Sequence, residues 1–193
     1  MLSMQSKSLY KKYSDGRHWE KHPTLYAETF AEFLKSVNFE GMVIDVGCGI
    51  GRDVNVFSKL GFNAFGVDNS KEEIENCKKK FPELKFEIQN AENLEFENNS
   101  VDAFFMINVI HYVHKDKAIQ EIFRALKPRR YLFIHFNIDI IDKNGKTDYH
   151  HDQNDVLKLV SKFKIIRQKL FERVDHQPIE HKHKIIELIL QKP

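Results

Sequence analysis

The sequence is poor in cysteine, tryptophan and proline, and its apolar runs are short. Its 193 residues include 2 Cys, 1 Trp and 5 Pro. Two cysteines are too few for the disulfide framework of a small secreted protein and, alone, for a four-ligand zinc site. No apolar run approaches the roughly 18 residues that cross a bilayer, and the lysine-containing start lacks the apolar region of a secretory signal. We therefore expect a cytoplasmic protein with no membrane partner.

Excess charge of either sign is also missing. Lys and Arg total 30 against 28 Asp and Glu, a formal net charge of +2, which gives no general attraction to nucleic acid. Hydrophobic residues make up 41%, with 16 Phe, so the chain has enough apolar material for a globular core. The length predicts one domain over 1–193, with residues 1–40 as an N-terminal helical cap.

From residue 42 onward, short apolar strands alternate with amphipathic helices. The predicted strands are 42–46, 62–67, 84–88, 101–107, 131–136, 163–174 and 183–190. Alternation of this kind is typical of a parallel sheet covered by helices on both faces. The loop between the last two strands is too short for a helical crossover, which predicts an antiparallel pair. The expected fold class is α/β, a doubly wound Rossmann-like sheet of about seven strands, mostly parallel, with the last one antiparallel.

A glycine-rich turn follows the first strand. Gly47, Gly49 and Gly51 stand at alternate positions, so backbone amides can approach a ligand at the start of a helix. Asp68 ends the second strand, where a carboxylate can accept both hydroxyls of a ribose. Ligands of open parallel sheets bind at this edge of the sheet. Together these residues predict a nucleoside cofactor.

The charge around the turn indicates which cofactor. Asp45, Asp53 and Asp68 are all acidic, whereas a pyrophosphate would favour positive charge nearby. Three carboxylates suit a cationic ligand that carries an amino group and a sulfonium. S-adenosylmethionine has both groups.

The segment 41–136 resembles the class I S-adenosylmethionine-dependent methyltransferases of methyltransferase type 11. Four stretches match motifs of that family in order: VIDVGCGIGRD, GVDNS, NAENLEFENNSVDAFFMINVIHYV and EIFRALKP. The resemblance implies that S-adenosylmethionine is the cofactor and S-adenosylhomocysteine the product. The residues that it assigns to cofactor binding are Asp45, Gly47, Cys48, Gly49, Gly51, Asp68, Asn69, Asn90, Ala91, Glu92 and Asn108.

The chain departs from the family pattern at two places. Asn90 stands where relatives often have Asp, and its amide can still accept from and donate to adenine. Arg129 and Arg130 stand where relatives have two glycines, and an arginine at positive φ costs about 1–2 kcal/mol. We therefore expect this turn to differ in shape from the family's.

Several residues are candidates for the acceptor side. His111 is the candidate catalytic base, because imidazole titrates near neutral pH, and its alternative role is packing. Aromatic residues of the lead, Tyr10, Tyr13, Trp19 and His22, either close over the cofactor or anchor a surface tail. The segment 137–152 is predicted to be a substrate-side insertion that brings Tyr149, His150 and His151 to this side, and the loop 175–182 adds His176 and His181.

A metal site and a reactive cysteine are both disfavoured. His181 and His183 can face one way on a strand, but the sequence shows no carboxylate or cysteine at ligand spacing, so we predict solvated histidines and no metal. Cys48 lies near a helix start, where a small residue is needed, which favours packing over reactivity.

The sequence favours methyl transfer to an oxygen, nitrogen or carbon of a small molecule. One alternative is an RNA or protein methyltransferase that acts with a partner subunit, and another is a regulatory protein that binds the cofactor without turnover. A nicotinamide-dependent reductase also has a glycine turn and an acidic strand end, but the chain lacks a Tyr-x-x-x-Lys pair. The basic runs 78–80 and 127–130 are interpreted as solvated ends of helices, so nucleic acid is disfavoured as a partner.

Overall fold

The computed structural model describes residue 12 and residues 25–193, which build one eight-stranded sheet and five helices of two or more turns. The strands are β1 (Met42–Val46), β2 (Asn63–Asp68), β3 (Lys85–Ile88), β4 (Val101–Met106), β5 (Leu126–Asp142), β6 (Thr147–His150), β7 (Lys164–Asp175) and β8 (His181–Gln191). The helices are α1 (Leu25–Ser36), α2 (Arg52–Lys59), α3 (Lys71–Lys80), α4 (Lys115–Ala125) and α5 (Gln153–Leu159). None of the helices in these ranges combines the length and apolarity needed to span a membrane.

The strand order is β3-β2-β1-β4-β5-β8-β7, and β6 pairs with β5 outside this path. All pairs from β3 to β5 are parallel, whereas β8 runs antiparallel to both β5 and β7. The predicted α/β class and the antiparallel last pair are confirmed. The chain leaves β1 toward β2 on one side and returns as β4 on the other, so the strand order reverses at β1 and β4, where ligands of such sheets bind.

One face of the sheet is covered by α1, α2 and α3 over a core rich in phenylalanine. Phe30 of α1 stacks on Phe105 of β4 with ring centroids 6.2 Å apart and lies 5.4 Å from Phe133 of β5. Each fully buried aromatic ring of this kind contributes about 1.5–3 kcal/mol of apolar stabilisation. Helix α1 is therefore packed against the sheet as part of the hydrophobic core. The rest of the predicted cap, apart from residue 12, precedes the described range, and its role as a lid stays a prediction.

The opposite face is covered by α4 and α5, and one side chain of α4 fixes the long connection from β3 to β4. Arg124 donates from Nη1 to Phe96 O at 2.7 Å and from Nη2 to Leu94 O at 2.9 Å. Glu121, one turn earlier on α4, accepts from Arg124 Nη2 at 2.8 Å. This planar fork holds the connection against the helix that precedes β5.

Strand β5 differs from the prediction at both ends. It begins at Leu126, where Arg129 adopts φ +61° and the pairing with β4 shifts register. The arginine adopts the left-handed conformation inside the strand, and the difference in shape from the family's turn stays a prediction. The Arg129 N–H donates to Lys192 O at 2.8 Å, which offsets part of the conformational cost. At the other end the strand continues to Asp142 and returns as β6, an eighth strand that the sequence pattern did not predict.

Candidate cofactor and acceptor site

The glycine turn between β1 and α2 is held open by left-handed backbone. Gly47, Gly49 and Gly51 have φ of +75°, +51° and +73°. A Cβ on Gly47 would lie 2.1 Å from Val109 Cγ2, so this residue has to be glycine for the segment that follows β4 to pack against the turn. A Cβ on Gly49 would meet no described atom within 4 Å. The side of the turn at Gly49 is therefore open for a ligand to approach the backbone.

Asp68 fastens this turn to the start of α3. Its Oδ2 accepts from the Gly49 N–H and its Oδ1 from the Ser70 N–H, both at 2.9 Å. Ser70 in turn caps α3 by accepting from the Glu73 N–H at 3.3 Å. An ionised carboxylate offers about four lone-pair sites, so both oxygens retain capacity for the hydroxyls of a ribose.

Two buried carboxylates lie beside the turn, and Arg52 pairs with one of them, since its Nη2 lies 3.4 Å from Asp53 Oδ2. Asp45 and Asp53 are 3% and 5% exposed. Burial is the main cause that raises the pKa of Asp45 well above its usual range, and the negative charge of Asp53 is the next largest cause. The positive charge of Arg52 offsets part of this increase. A bound ammonium or sulfonium group would relieve this repulsion. The arrangement therefore fits S-adenosylmethionine.

Cys48 is buried inside the turn and faces Cys77 of α3. The hydrogen bond with Cys77 and burial raise the pKa of the Cys48 thiol, and the Cys77 thiol donates to Gly49 O at 3.0 Å. A protonated, buried thiol is a weak nucleophile. The structure thus supports the predicted packing role.

The residues expected near adenine follow β2 and β3 at the same edge. Asn69 and Asn90 are exposed, and Ala91 is buried. Asn90 Oδ1 accepts from the Glu92 N–H at 2.9 Å, which shapes the turn locally. Glu92 Oε1 accepts from the His114 N–H at 3.0 Å just before α4. Glu92 therefore has a structural bond of its own, and its contact with adenine stays a prediction.

Asn108 lies just beyond β4, beside the glycine turn. It is exposed and adopts φ +56°, which a non-glycine residue seldom does. Its neighbour Val109 packs against Gly47. Strain of this kind costs about 1–3 kcal/mol and tends to cluster at functional sites. Asn108 thus lies next to the glycine turn, and its contact with the methionine portion stays a prediction.

His111 marks the acceptor side of the same edge. Its Nε2 accepts from the Asn137 N–H at 3.2 Å, and its ring meets Tyr149 edge-on with centroids 5.8 Å apart. Burial, followed by the charges of His135 and Lys115, lowers the pKa of His111 well below its usual range. The imidazole is therefore neutral at physiological pH, and its one acceptor nitrogen, Nε2, is engaged by a backbone amide.

Of the residues that the sequence predicted on the β5–β6 hairpin, Tyr149 lies near His111 and His150 does not. Burial raises the pKa of Tyr149 to about 12, and Lys115 Nζ lies 3.4 Å from both its hydroxyl and His151 Nε2. His150 points elsewhere and pairs with Asp139 Oδ1 at 2.6 Å. The predicted substrate-side segment thus brings Tyr149 to His111 and leaves His150 outside.

Comparison with known proteins agrees with this geometry. The model of the methyltransferase domain family matches residues 44–134. Over this segment, 91 of its 193 residues, the chain resembles the class I S-adenosylmethionine-dependent methyltransferases. Its resemblance to that family, noted from four motifs, is thereby confirmed.

Two curated relatives and one solved structure illustrate the range of similar proteins. The chain is 32% identical over 117 residues to a phthiotriol/phenolphthiotriol dimycocerosates methyltransferase of Mycobacterium leprae, covering 58% of this chain and 42% of the relative. It is 31% identical over 108 residues to a tRNA (carboxymethyluridine(34)-5-O)-methyltransferase of Arabidopsis thaliana, and this match covers 54% of this chain and 26% of the relative. A methyltransferase structure from Methanosarcina mazei shares the fold, with a TM-score of 0.65 and 21% sequence identity. The match covers 79% of this chain and 92% of that structure. The chain spans less than half the length of the curated relatives it matches.

The histidines of β8 contradict one expectation from the sequence. His181 and His183 are 3% and 7% exposed, so they are not solvated, and Asp175 lies beside both of them. The statement that no carboxylate stands nearby is wrong, because the β7–β8 pairing places Asp175 opposite His181. His176 does not join this group, since it is exposed and pairs with Glu180 at 2.9 Å.

Asn137 is the acceptor-side residue that sequence reasoning missed. It is buried in β5 and bonds both His111 and His183, with Oδ1 3.1 Å from His183 Nδ1. An asparagine within an apolar strand gives no functional pattern in one sequence. Its role depends on the register of β5 against β8, which includes a shift between Asn137 and Asp139.

Proposed function

We propose that this methyltransferase binds S-adenosylmethionine at the glycine turn and transfers a methyl group to a small molecule bound between His111 and the β5–β6 hairpin. The observation that supports the donor site is the buried carboxylate cluster around an open glycine turn. Asp68 would accept the ribose hydroxyls, Gly49 would border the methionine portion, and Asp45 would face the amino group. S-adenosylhomocysteine would be the product.

When bound, S-adenosylmethionine supplies a methyl group already activated on a sulfonium, so the protein contributes alignment and exclusion of water. His111 suits this task as a positioning residue. Its engaged Nε2 and low pKa make it a weak base, in contrast to the role predicted from sequence. It would hold Asn137 and Tyr149 around the acceptor.

The charge on the acceptor side supports a small molecule over a nucleic acid. Residues 137–155 contain five aspartates and two lysines, and with Lys12 paired to Asp148 the segment still has an excess of negative charge, which disfavours a polyanionic backbone. The basic runs lie at the other edge of the sheet, where Lys127 and Arg130 approach Asp102 Oδ1 at 2.7 and 3.7 Å. Lys78–Lys80 are likewise at the far end of α3. One relative acts on tRNA by name, but this chain lacks a basic acceptor edge among the described residues.

Calorimetric titration with S-adenosylmethionine, S-adenosylhomocysteine and NADH tests the donor assignment. We expect both sulfur ligands to bind with one site per chain and NADH not to bind. Binding of NADH alone would overturn the proposal in favour of a dehydrogenase.

Transfer of a labelled methyl group tests the acceptor assignment. Protein and methyl-labelled donor are incubated separately with a small-molecule cell extract, total RNA and total protein. We expect label in the small-molecule fraction, and this should fall in His111→Gln more than in His150→Gln, because His150 lies outside the site. Label in RNA or protein would refute the acceptor class, and tight donor binding without label in any fraction would favour a regulatory protein.

A further inference from the structure

A second group of polar side chains lies at the turn between β7 and β8. Asp175 ends β7, His181 begins β8 opposite it, and His183 follows two residues later on the same face. One potential ligand atom from each of the three lies within 4.8 Å of the others. A strand pairing thus assembles a donor set of two imidazoles and one carboxylate.

The three side chains differ in access to solvent. The side chains of His181 and His183 are 2% and 8% exposed, whereas that of Asp175 is 25% exposed. An ion from solvent can therefore reach the carboxylate, while the imidazoles are held inside the protein. Burial of two imidazoles with ordered partners limits the number of orientations that each ring can take.

Hydrogen bonds set which nitrogen each imidazole turns toward Asp175. His181 Nδ1 lies 2.6 Å from Ile179 O, and His183 Nδ1 lies 3.1 Å from Asn137 Oδ1. A carbonyl oxygen only accepts, so both Nδ1 atoms donate. Nε2 of each ring then faces the carboxylate. Histidines that ligate metals almost always donate their other ring N–H to an oxygen in this way.

The spacing is close to that of a tetrahedral site. Asp175 Oδ2 lies 3.2 Å from His183 Nε2 and 3.9 Å from His181 Nε2. Ligands about 2.0–2.1 Å from a tetrahedral ion lie roughly 3.3–3.5 Å apart. The observed distances bracket that value, so small side-chain shifts would complete the geometry.

The positively charged Arg173 lies beside Asp175 and would repel a bound cation. Its Nη2 donates to Asp175 Oδ2 at 2.8 Å, and its Nη1 donates to Tyr26 OH at 3.1 Å. A carboxylate has enough lone-pair sites to bind an ion while it keeps an outer hydrogen bond. The guanidinium would nevertheless weaken cation binding by repulsion, so Arg173→Gln should tighten it.

We propose that Asp175, His181 and His183 bind one divalent transition-metal ion of the zinc type, with water as a fourth ligand. Imidazole with carboxylate suits Zn²⁺, whereas Mg²⁺ and Ca²⁺ require oxygen donors. Asn137 bonds both His183 and His111, so the ion would lie next to the acceptor side. The site is independent of donor binding, because no residue of the glycine turn takes part.

Cobalt titration of the full chain, purified without a histidine tag and treated with a chelator, tests the site. We expect one equivalent of Co²⁺ to produce the intense visible bands of four-coordinate cobalt, and Zn²⁺ to displace it. His183→Gln should weaken binding by about 100-fold or more, since loss of an outer partner already costs about 10–100-fold. His176→Gln is the matched control, because this exposed histidine of the same turn is not a ligand and should leave binding unchanged.

A second variant protects the test against misfolding. Asp175→Asn alters a partly exposed side chain with little change in shape, and it should also abolish the cobalt bands. Zn²⁺ should raise the thermal unfolding midpoint of the unmodified protein and not that of Asp175→Asn. The proposal is overturned if no cobalt bands appear, or if His176→Gln removes them while Asp175→Asn and His183→Gln do not.

Discussion

Replacement of Asp68 by alanine tests the donor site most directly. The carboxylate would make a hydrogen bond to each ribose hydroxyl, and bonds to a charged group contribute about 1.5–3 kcal/mol each. Asp68→Ala should therefore weaken S-adenosylmethionine binding by about 3–6 kcal/mol. At about 1.4 kcal/mol per tenfold change, this corresponds to a rise in Kd of roughly 100- to 10,000-fold.

The variant also releases the N–H groups of Gly49 and Ser70, so its fold has to be checked by thermal unfolding. Glu72→Ala is the matched control, because it removes an exposed carboxylate from the first turn of the same helix. A donor analogue that lacks one ribose hydroxyl should bind the unmodified protein roughly 10- to 150-fold more weakly, yet bind Asp68→Ala as well as the complete donor does. A folded Asp68→Ala protein with unchanged affinity would refute the ribose assignment.

Three further changes probe the turn, its charge and the adjoining connection. Gly49→Ala and Gly61→Ala both place Cβ in open space at positive φ, so each should cost about 1–2 kcal/mol in thermal unfolding, but only Gly49→Ala should weaken donor binding in calorimetry. The pKa of Asp45 is raised in the folded protein, so the free energy of unfolding should fall as pH rises above the unfolded carboxyl value. Asp45→Asn should remove that fall in urea titrations across pH and weaken donor binding. Arg124→Lys should cost about 1–3 kcal/mol by urea unfolding, since lysine lacks the planar fork; an unchanged midpoint would contradict this.

The grouping of the glycine turn and Asp68 at one edge of the sheet was predictable because its signals are local. A glycine turn, the strand before it and Asp68 each lie within a few residues of a strand end, and parallel strands bring their carboxyl ends to one edge. A helix within residues 1–40 was also predicted, and α1 with its phenylalanine-rich buried face lies there. Arg129 shows the limit of such inference, because tertiary pairing with Lys192 holds a backbone conformation that its residue type disfavours.

The sequence by itself determined the α/β class, the positions of strands β1 to β4 along the chain and the residues of the glycine turn, since hydrophobic period and turn chemistry act over short distances. Only the tertiary structure decided the acceptor side. Asn137 meets His111 and His183, and Asp175 meets His181, through the register of β5, β8 and β7. A shift of one residue in a strand turns each side chain to the opposite face, and a single sequence does not specify the register between distant strands.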